Sequence, residues 1–292
     1  MTTAAQWIAG ARPRTLPAAI APVAVGTGLA VNAGSFRFIE ALLALIVALA
    51  LQVGVNYAND YSDGIRGTDN ARIGPVRLVG QGLASPTSVK RAAYLAFLVA
   101  AFSGLGLVLL TGQWWLVLVG AAAIGAAWLY TGGPRPYGYL GLGELFVLVF
   151  FGIVPVVGTM YVQTLTITTS SVIAGISVGL LACGVLLTNN IRDIPTDTQS
   201  GKRTLAVRLG DRPARALYAV TIITAFALVI PVAISTGPWT YLAFAAVPLS
   251  ITPVRIVLGG TTGPGLIPAL KATGNLVLVF GLALALGVAF NQ

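Results

Sequence analysis

The chain has 292 residues, of which 57% are hydrophobic and only 9% charged. A soluble domain carries ~25% charged residues, so lipid rather than water must solvate most of this chain, and one large soluble core is excluded. The net charge of +9 reads as basic loops facing an anionic leaflet rather than as a nucleic-acid surface, and the absence of His excludes imidazole as base or metal ligand.

Each crossing of a ~30 Å hydrocarbon layer takes ~20 apolar residues. Apolar runs predict nine transmembrane helices, near 16–33, 37–57, 91–111, 113–130, 140–162, 172–191, 214–235, 239–258 and 268–290. The fold class expected is therefore all-α: one polytopic domain over 1–292, with a helix bundle around a central cavity. Ahead of the first run, Trp7, Arg12 and Arg14 read as an interfacial anchor, and no signal-peptide pattern is evident. Between the runs, every basic residue except Arg37 falls on the side of the N-terminus. The positive-inside rule then places the N-terminus and the long loops in the cytoplasm. The lone Cys183, within GLLACGVLL, reads as a small packing residue.

Five of the eight acidic residues fall in two clusters. The first is Asn56-x-x-Asn59-Asp60-x-x-Asp63-x5-Asp69, at the end of the second run and into its loop. The second is Asn189-Asn190-x-Arg192-Asp193-x-x-x-Asp197, at the end of the sixth. Residues four apart share a helix face, so Asn56 with Asp60, and Asn189 with Asp193 and Asp197, project stripes of oxygen. The asparagine–aspartate spacing repeats, and each cluster leads into a basic loop, within 56–90 and 189–214. This suggests a pseudo-repeat whose two clusters face each other across a cavity. Clustered carboxylates at a membrane boundary repel one another and resist desolvation, and a divalent cation relieves both penalties. Flexibly spaced hard oxygen ligands suit Mg2+ shared with a substrate phosphate. Arg66, Arg72, Arg77, Lys202, Arg203 and Arg208 would complement the remaining phosphate oxygens. The competing reading of each cluster alone is helix capping and loop solvation.

These residues resemble the UbiA superfamily of intramembrane aromatic prenyltransferases, and the resemblance covers nearly the whole chain. Four stretches carry it: Arg12-Pro-Arg-Thr-Leu-Pro17; Asn56 to Asp63 with Gly67-Thr-Asp69; Tyr130 to Glu144; and Asn189 to Asp193 with the segment from Gly201 to Gly210. They are most similar to the branch that prenylates 1,4-dihydroxy-2-naphthoate in menaquinone synthesis. The first motif departs from the superfamily pattern at Gly67, where a third Asp is common, so Asp69 is the candidate for that role.

The resemblance implies Mg2+ as cofactor, with a polyprenyl diphosphate and an aromatic acceptor as substrates, at a site facing the cytoplasm in the cell membrane. It implies that Asn56, Asp60, Asp63, Asp69, Asn189, Asp193 and Asp197 hold metal, with Lys202, Arg203 and Arg77 on the diphosphate. Tyr61, Tyr130, Tyr137 or Tyr139 would shield an allylic cation, or else be interfacial tyrosines. Arg135 or Arg14 would take an acceptor carboxylate. Glu144 either orients an acceptor hydroxyl or pairs with a loop Arg, and Asn190 joins the substrate-binding set. A prenyltransferase with another acceptor is the nearest alternative. A secondary transporter is remoter, because the carboxylates lie at helix ends rather than at mid-membrane.

Overall fold

A computed structural model describes residues 2–67 and 76–292, all of whose regular structure is helical. A short helix, α1 (Ala4–Ala11), opens with a reciprocal Thr3–Gln6 capping box and ends at Arg12 in the left-handed region, φ 55°. After a turn at Pro13–Thr15, α2 (Pro17–Asn32) departs at 50°. The succeeding apolar helices are α3 (Phe38–Arg66), α4 (Pro86–Thr111), α5 (Leu116–Leu129) and α6 (Gly143–Thr164). Then come α7 (Thr169–Arg192), the short α8 (Ile194–Gln199) and α9 (Leu205–Leu209), and finally α10 (Asp211–Thr236), α11 (Pro238–Leu258) and α12 (Gly263–Ala289).

Every predicted apolar run is a helix, and seven are long and apolar enough to cross a membrane on their own. The bent pair α1–α2 makes an eighth candidate. α5, with 14 residues, reaches only about 21 Å at 1.5 Å per residue, which is short of a full hydrocarbon layer.

Two helix ends differ from expectation. α3 continues through the first acidic cluster to Arg66, where Gly67 in the left-handed conformation (φ 71°) caps it. The helix that carries Asn56 and Asp60 therefore runs on through Asp63, beyond the expected end near 57. α4 starts five residues early because Ser85 accepts the Ser88 N–H and Pro86 occupies the first turn. This puts Lys90 and Arg91 on the helix.

The outer surface carries the large apolar side chains, with Phe102, Leu118 and Ile234 more than two-thirds exposed. The interior is close-packed around Leu29, Val178, Tyr218 and Phe280, with a second cluster at Tyr57, Leu78 and Phe97. This distribution is that of an integral membrane protein, whose helices associate by close packing rather than by hydrophobic exclusion. Small residues permit the approach. A Cβ on Gly28 would meet the Ala285 carbonyl oxygen at 2.4 Å and its Cα at 2.9 Å. One on Gly152 would meet the backbone of Gly175 and Gly179 at 2.4–2.5 Å. The obstacles are backbone atoms, which cannot swing aside.

Gly28→Val should cost about 1–3 kcal/mol or more by overpacking and lower the thermal midpoint in detergent. Gly120→Ala, inside α5 where nothing lies within 4 Å, should not lower that midpoint and should raise it slightly.

Candidate active site

The helices enclose a cavity of about 1130 Å3. Its deeper wall is apolar, with Val47, Ala48, Leu105, Val119 and Phe150 among its residues, while one end collects polar residues from both acidic clusters. A long amphiphile fits such a shape.

On α3 the face presented to this cavity is Gln52, Asn56, Asn59 and Asp63. Steps of four, three and four residues at about 100° each keep these within one narrow stripe. Asp60 is turned about 100° from Asn59 and points elsewhere. Its buried carboxylate accepts the backbone N–H groups of Leu78 at 2.7 Å and Val79 at 3.0 Å. That anchors the segment carrying Arg77, which is itself buried against the cavity. Asn56 donates to the Ala11 carbonyl and to the Thr15 hydroxyl, both at 2.9 Å, tying the N-terminal turn to α3. Asp69 and Arg72 lie outside the described residues.

From the second cluster, Asn189, Asn190, Arg192 and Asp197 line the cavity. Asp193, between α7 and α8, accepts hydrogen bonds from Arg192 Nε and Nη2, at 2.7 and 2.8 Å. Such a bidentate pair pre-orients a guanidinium whose other edge is left for an anion.

The two clusters meet at Lys202. The left-handed Gly201 (φ 75°) reverses the chain, and the Lys202 N–H binds the Asp197 carbonyl at 2.8 Å. Its buried ammonium then lies 3.7 Å from Asp63 Oδ2 and 3.9 Å from Asp197 Oδ1. It also stands 4.6 Å from the centre of the Tyr139 ring. Tyr139 in turn donates its hydroxyl to Asp63 Oδ1 at 2.7 Å. The Arg203 N–H holds the Tyr139 carbonyl at 3.0 Å, locking this turn onto the loop after α8. Arg66 completes the join, donating to the Thr131 and Gly133 carbonyls, while the Thr131 hydroxyl donates to Asn59 at 2.8 Å.

Tyr130 and Tyr137 form an aromatic wall with Phe146. Tyr137 stacks on Phe146 at 3.9 Å and meets Tyr130 edge-on at 5.5 Å. Burial pushes the Tyr137 phenol well above its ordinary range, so it stays neutral and donates to the Ala126 carbonyl at 2.8 Å. Glu144 is buried behind this wall, accepting from Asn190 at 2.9 Å, and is not part of the cavity lining. Arg135 and the Arg203 side chain are exposed and do not reach the cavity. Tyr61 packs against Trp128 and Lys90, away from it.

Gln52, Asn59, Tyr139 and Arg192 therefore line the cavity more directly than the acidic spacing alone suggested. The three- and four-residue steps back and forward from Asn56 are the signal that finds Gln52 and Asn59. Among the described residues no three carboxylates or thiols converge. Mg2+ nevertheless fits the donors present, because it needs only one or two carboxylates when substrate phosphate supplies the remaining oxygens. Asp63 and Asp197, on opposite sides of the cavity's polar end, are such donors.

Asp60→Asn replaces one acceptor by a donor facing the Leu78 and Val79 amides. Losing a charge-assisted bond of about 1.5–3 kcal/mol should speed tryptic cleavage at Arg77 roughly ten-fold or more. Asp63→Asn, which leaves that anchor intact, should not.

Residues 19–263 match the family described as the UbiA prenyltransferase family. Over all 292 residues the chain is 51% identical to the 1,4-dihydroxy-2-naphthoate octaprenyltransferase of Mycobacterium tuberculosis, covering 100% of this chain and 99% of that one. It is 38% identical to the Escherichia coli protein of the same name, covering 98% and 96%. Among solved structures, a UbiA homologue from Aeropyrum pernix superposes with a TM-score of 0.73 at 17% identity, over 92% of this chain and 97% of that one. One from Archaeoglobus fulgidus, bound to GPP and Mg2+, gives 0.67 at 14% identity, over 96% and 99%. The shared fold, the motif positions and full-length identity all lead to one assignment: this chain belongs to the UbiA prenyltransferase family.

Proposed function

We propose that the chain transfers a polyprenyl group from polyprenyl diphosphate to 1,4-dihydroxy-2-naphthoate, releasing CO2 and diphosphate, in menaquinone synthesis. It is a membrane prenyltransferase whose full-length relatives carry the naphthoate activity in their names. The single observation that carries the chemistry is the Asp63–Lys202–Asp197 constellation at the polar end of a long apolar cavity. Its two carboxylates come from the two halves of the chain, which supports reading the 56–90 and 189–214 segments as matched halves of one domain.

The prenyl tail lies along the apolar wall and the diphosphate sits at the polar end. Asp63 and Asp197, with Asn56 and Asn189 as further oxygen donors, would hold Mg2+, which when bound would supply positive charge for the departing diphosphate; Asp69, outside the described residues, is a further candidate donor. Lys202 and Arg77 add fixed positive charge where negative charge develops. Asp60 and Asp193 act on the same group through Arg77 and Arg192, which they orient. Departure of diphosphate leaves an allylic cation facing Tyr130 and Tyr137, whose ring faces stabilise it and whose bulk keeps water away. The electron-rich ring carbon bearing the carboxylate attacks the cation, the carbon–carbon bond forms, and the carboxylate leaves as CO2 with its bonding pair restoring the ring. No imidazole base is needed. The excess of basic residues on the N-terminal side supports a site open to the cytoplasm.

Purified protein given Mg2+, a polyprenyl diphosphate and 1,4-dihydroxy-2-naphthoate should yield a prenylated, decarboxylated naphthoquinol, read by mass spectrometry. Chelation should abolish turnover and added Mg2+ restore it. Asp63→Asn and Asp197→Asn should each lower kcat by about 100-fold or more, equivalent to ~2.7 kcal/mol. Full turnover in either variant, or without divalent ions, would contradict the reading.

A further inference from the structure

We propose that Gln52 recognises a ring hydroxyl of the aromatic acceptor, and specifically the hydroxyl at ring position 4. The inference rests on the prenyl transfer to dihydroxynaphthoate proposed above.

Gln52 lies on the cavity face of α3, one turn before Asn56, and is 5% exposed. Its amide orientation follows from the neighbouring bonds. The Thr15 hydroxyl donates its one proton to the Arg12 carbonyl at 2.9 Å. It can then only accept from Gln52 Nε2 at 2.8 Å and Asn56 Nδ2 at 2.9 Å. Both nitrogens are thus turned toward Thr15 and both oxygens away from it. Gln52 Oε1 is buried with no hydrogen-bond partner among the described residues.

A buried amide oxygen without a donor is destabilising, and Leu or Met would fill the same space without that penalty. The oxygen therefore calls for a donor brought by a ligand. An amide oxygen cannot bind diphosphate, which is all acceptor, and a prenyl chain has no donor to offer. Of the groups entering this cavity, only an acceptor hydroxyl matches. In 1,4-dihydroxy-2-naphthoate the hydroxyl at position 1 bonds internally to the adjacent carboxylate, leaving the one at position 4 free to donate. The spacing agrees, since eleven residues of helix from Gln52 to Asp63 rise about 16 Å, room for a diphosphate, the allylic carbon and one ring. The terminal torsion of glutamine is broad, so the amide can tilt toward a ligand while keeping its N–H on Thr15.

The test uses 4-hydroxy-2-naphthoate and 1-hydroxy-2-naphthoate as competitive inhibitors against 1,4-dihydroxy-2-naphthoate, with wild type and Gln52→Met. In wild type the 4-hydroxy compound should bind about 3- to 30-fold tighter than the 1-hydroxy compound. Gln52→Met should erase that difference and raise KM for the acceptor by a similar factor. KM for the prenyl diphosphate should stay unchanged. Equal binding of the two analogues by wild type, equal weakening of both by Gln52→Met, or a rise in KM for the prenyl diphosphate would overturn the assignment. Should Gln52→Met fail to fold, the wild-type ratio alone decides. If wild type turns over dihydroxynaphthoate but shows no preference, only this inference falls, whereas no turnover at all removes the reading beneath it as well.

Discussion

An ammonium group buried between two carboxylates is the interaction on which the site depends. Lys202 stands between Asp63 on α3 and Asp197 on α8, so it joins segments more than 130 residues apart in the chain. Taking such charges out of water is costly, and at membrane depth it is tolerated only where they pair. Tyr139 adds a hydroxyl to one carboxylate and a ring face to the ammonium, satisfying the group without neutralising it. At the cavity's polar end the buried aspartates Asp60, Asp63, Asp193 and Asp197 lie among buried cations that include Arg77, Arg192 and Lys202. Facing carboxylates with cations beside them suit a divalent ion shared with a diphosphate.

The surrounding structure serves to hold that cluster still. Asp60 spends its carboxylate on two backbone amides and thereby fixes the segment bearing Arg77. Asp193 holds Arg192 by both oxygens. Asn56 and Gln52 brace the N-terminal turn through Thr15. The acidic motifs thus divide into groups that face the cavity and groups that position them. Preorganised charge of this kind stabilises a leaving group without reorganisation at the moment of reaction.

Much of this was legible in the sequence. Hydropathy located every apolar helix because lipid demands long apolar runs whatever their neighbours. The two clusters were visible because carboxylates are scarce in such a chain. Helix ends were less legible: polar residues after position 57 looked like loop, yet α3 continues because its oxygen-bearing stripe is buried against the cavity. The role of Asp60 could not be read, since its partners are the backbone amides of Leu78 and Val79, which carry no side-chain signature. Charge and proximity in sequence point to Arg135 and Arg203, yet the turn geometry leaves both side chains in solvent. Gln52 was hidden inside an apolar run, although its four-residue step from Asn56 was in plain view.

The central claim is that Lys202 links the two acidic motifs and receives the diphosphate. Titration calorimetry of a non-hydrolysable prenyl thiolodiphosphate into wild type and Lys202→Met, with and without Mg2+, tests it most directly. The account predicts Mg2+-dependent binding to wild type, weakened ten-fold or more (~1.4 kcal/mol) in Lys202→Met. Equal affinity in the two proteins would contradict it.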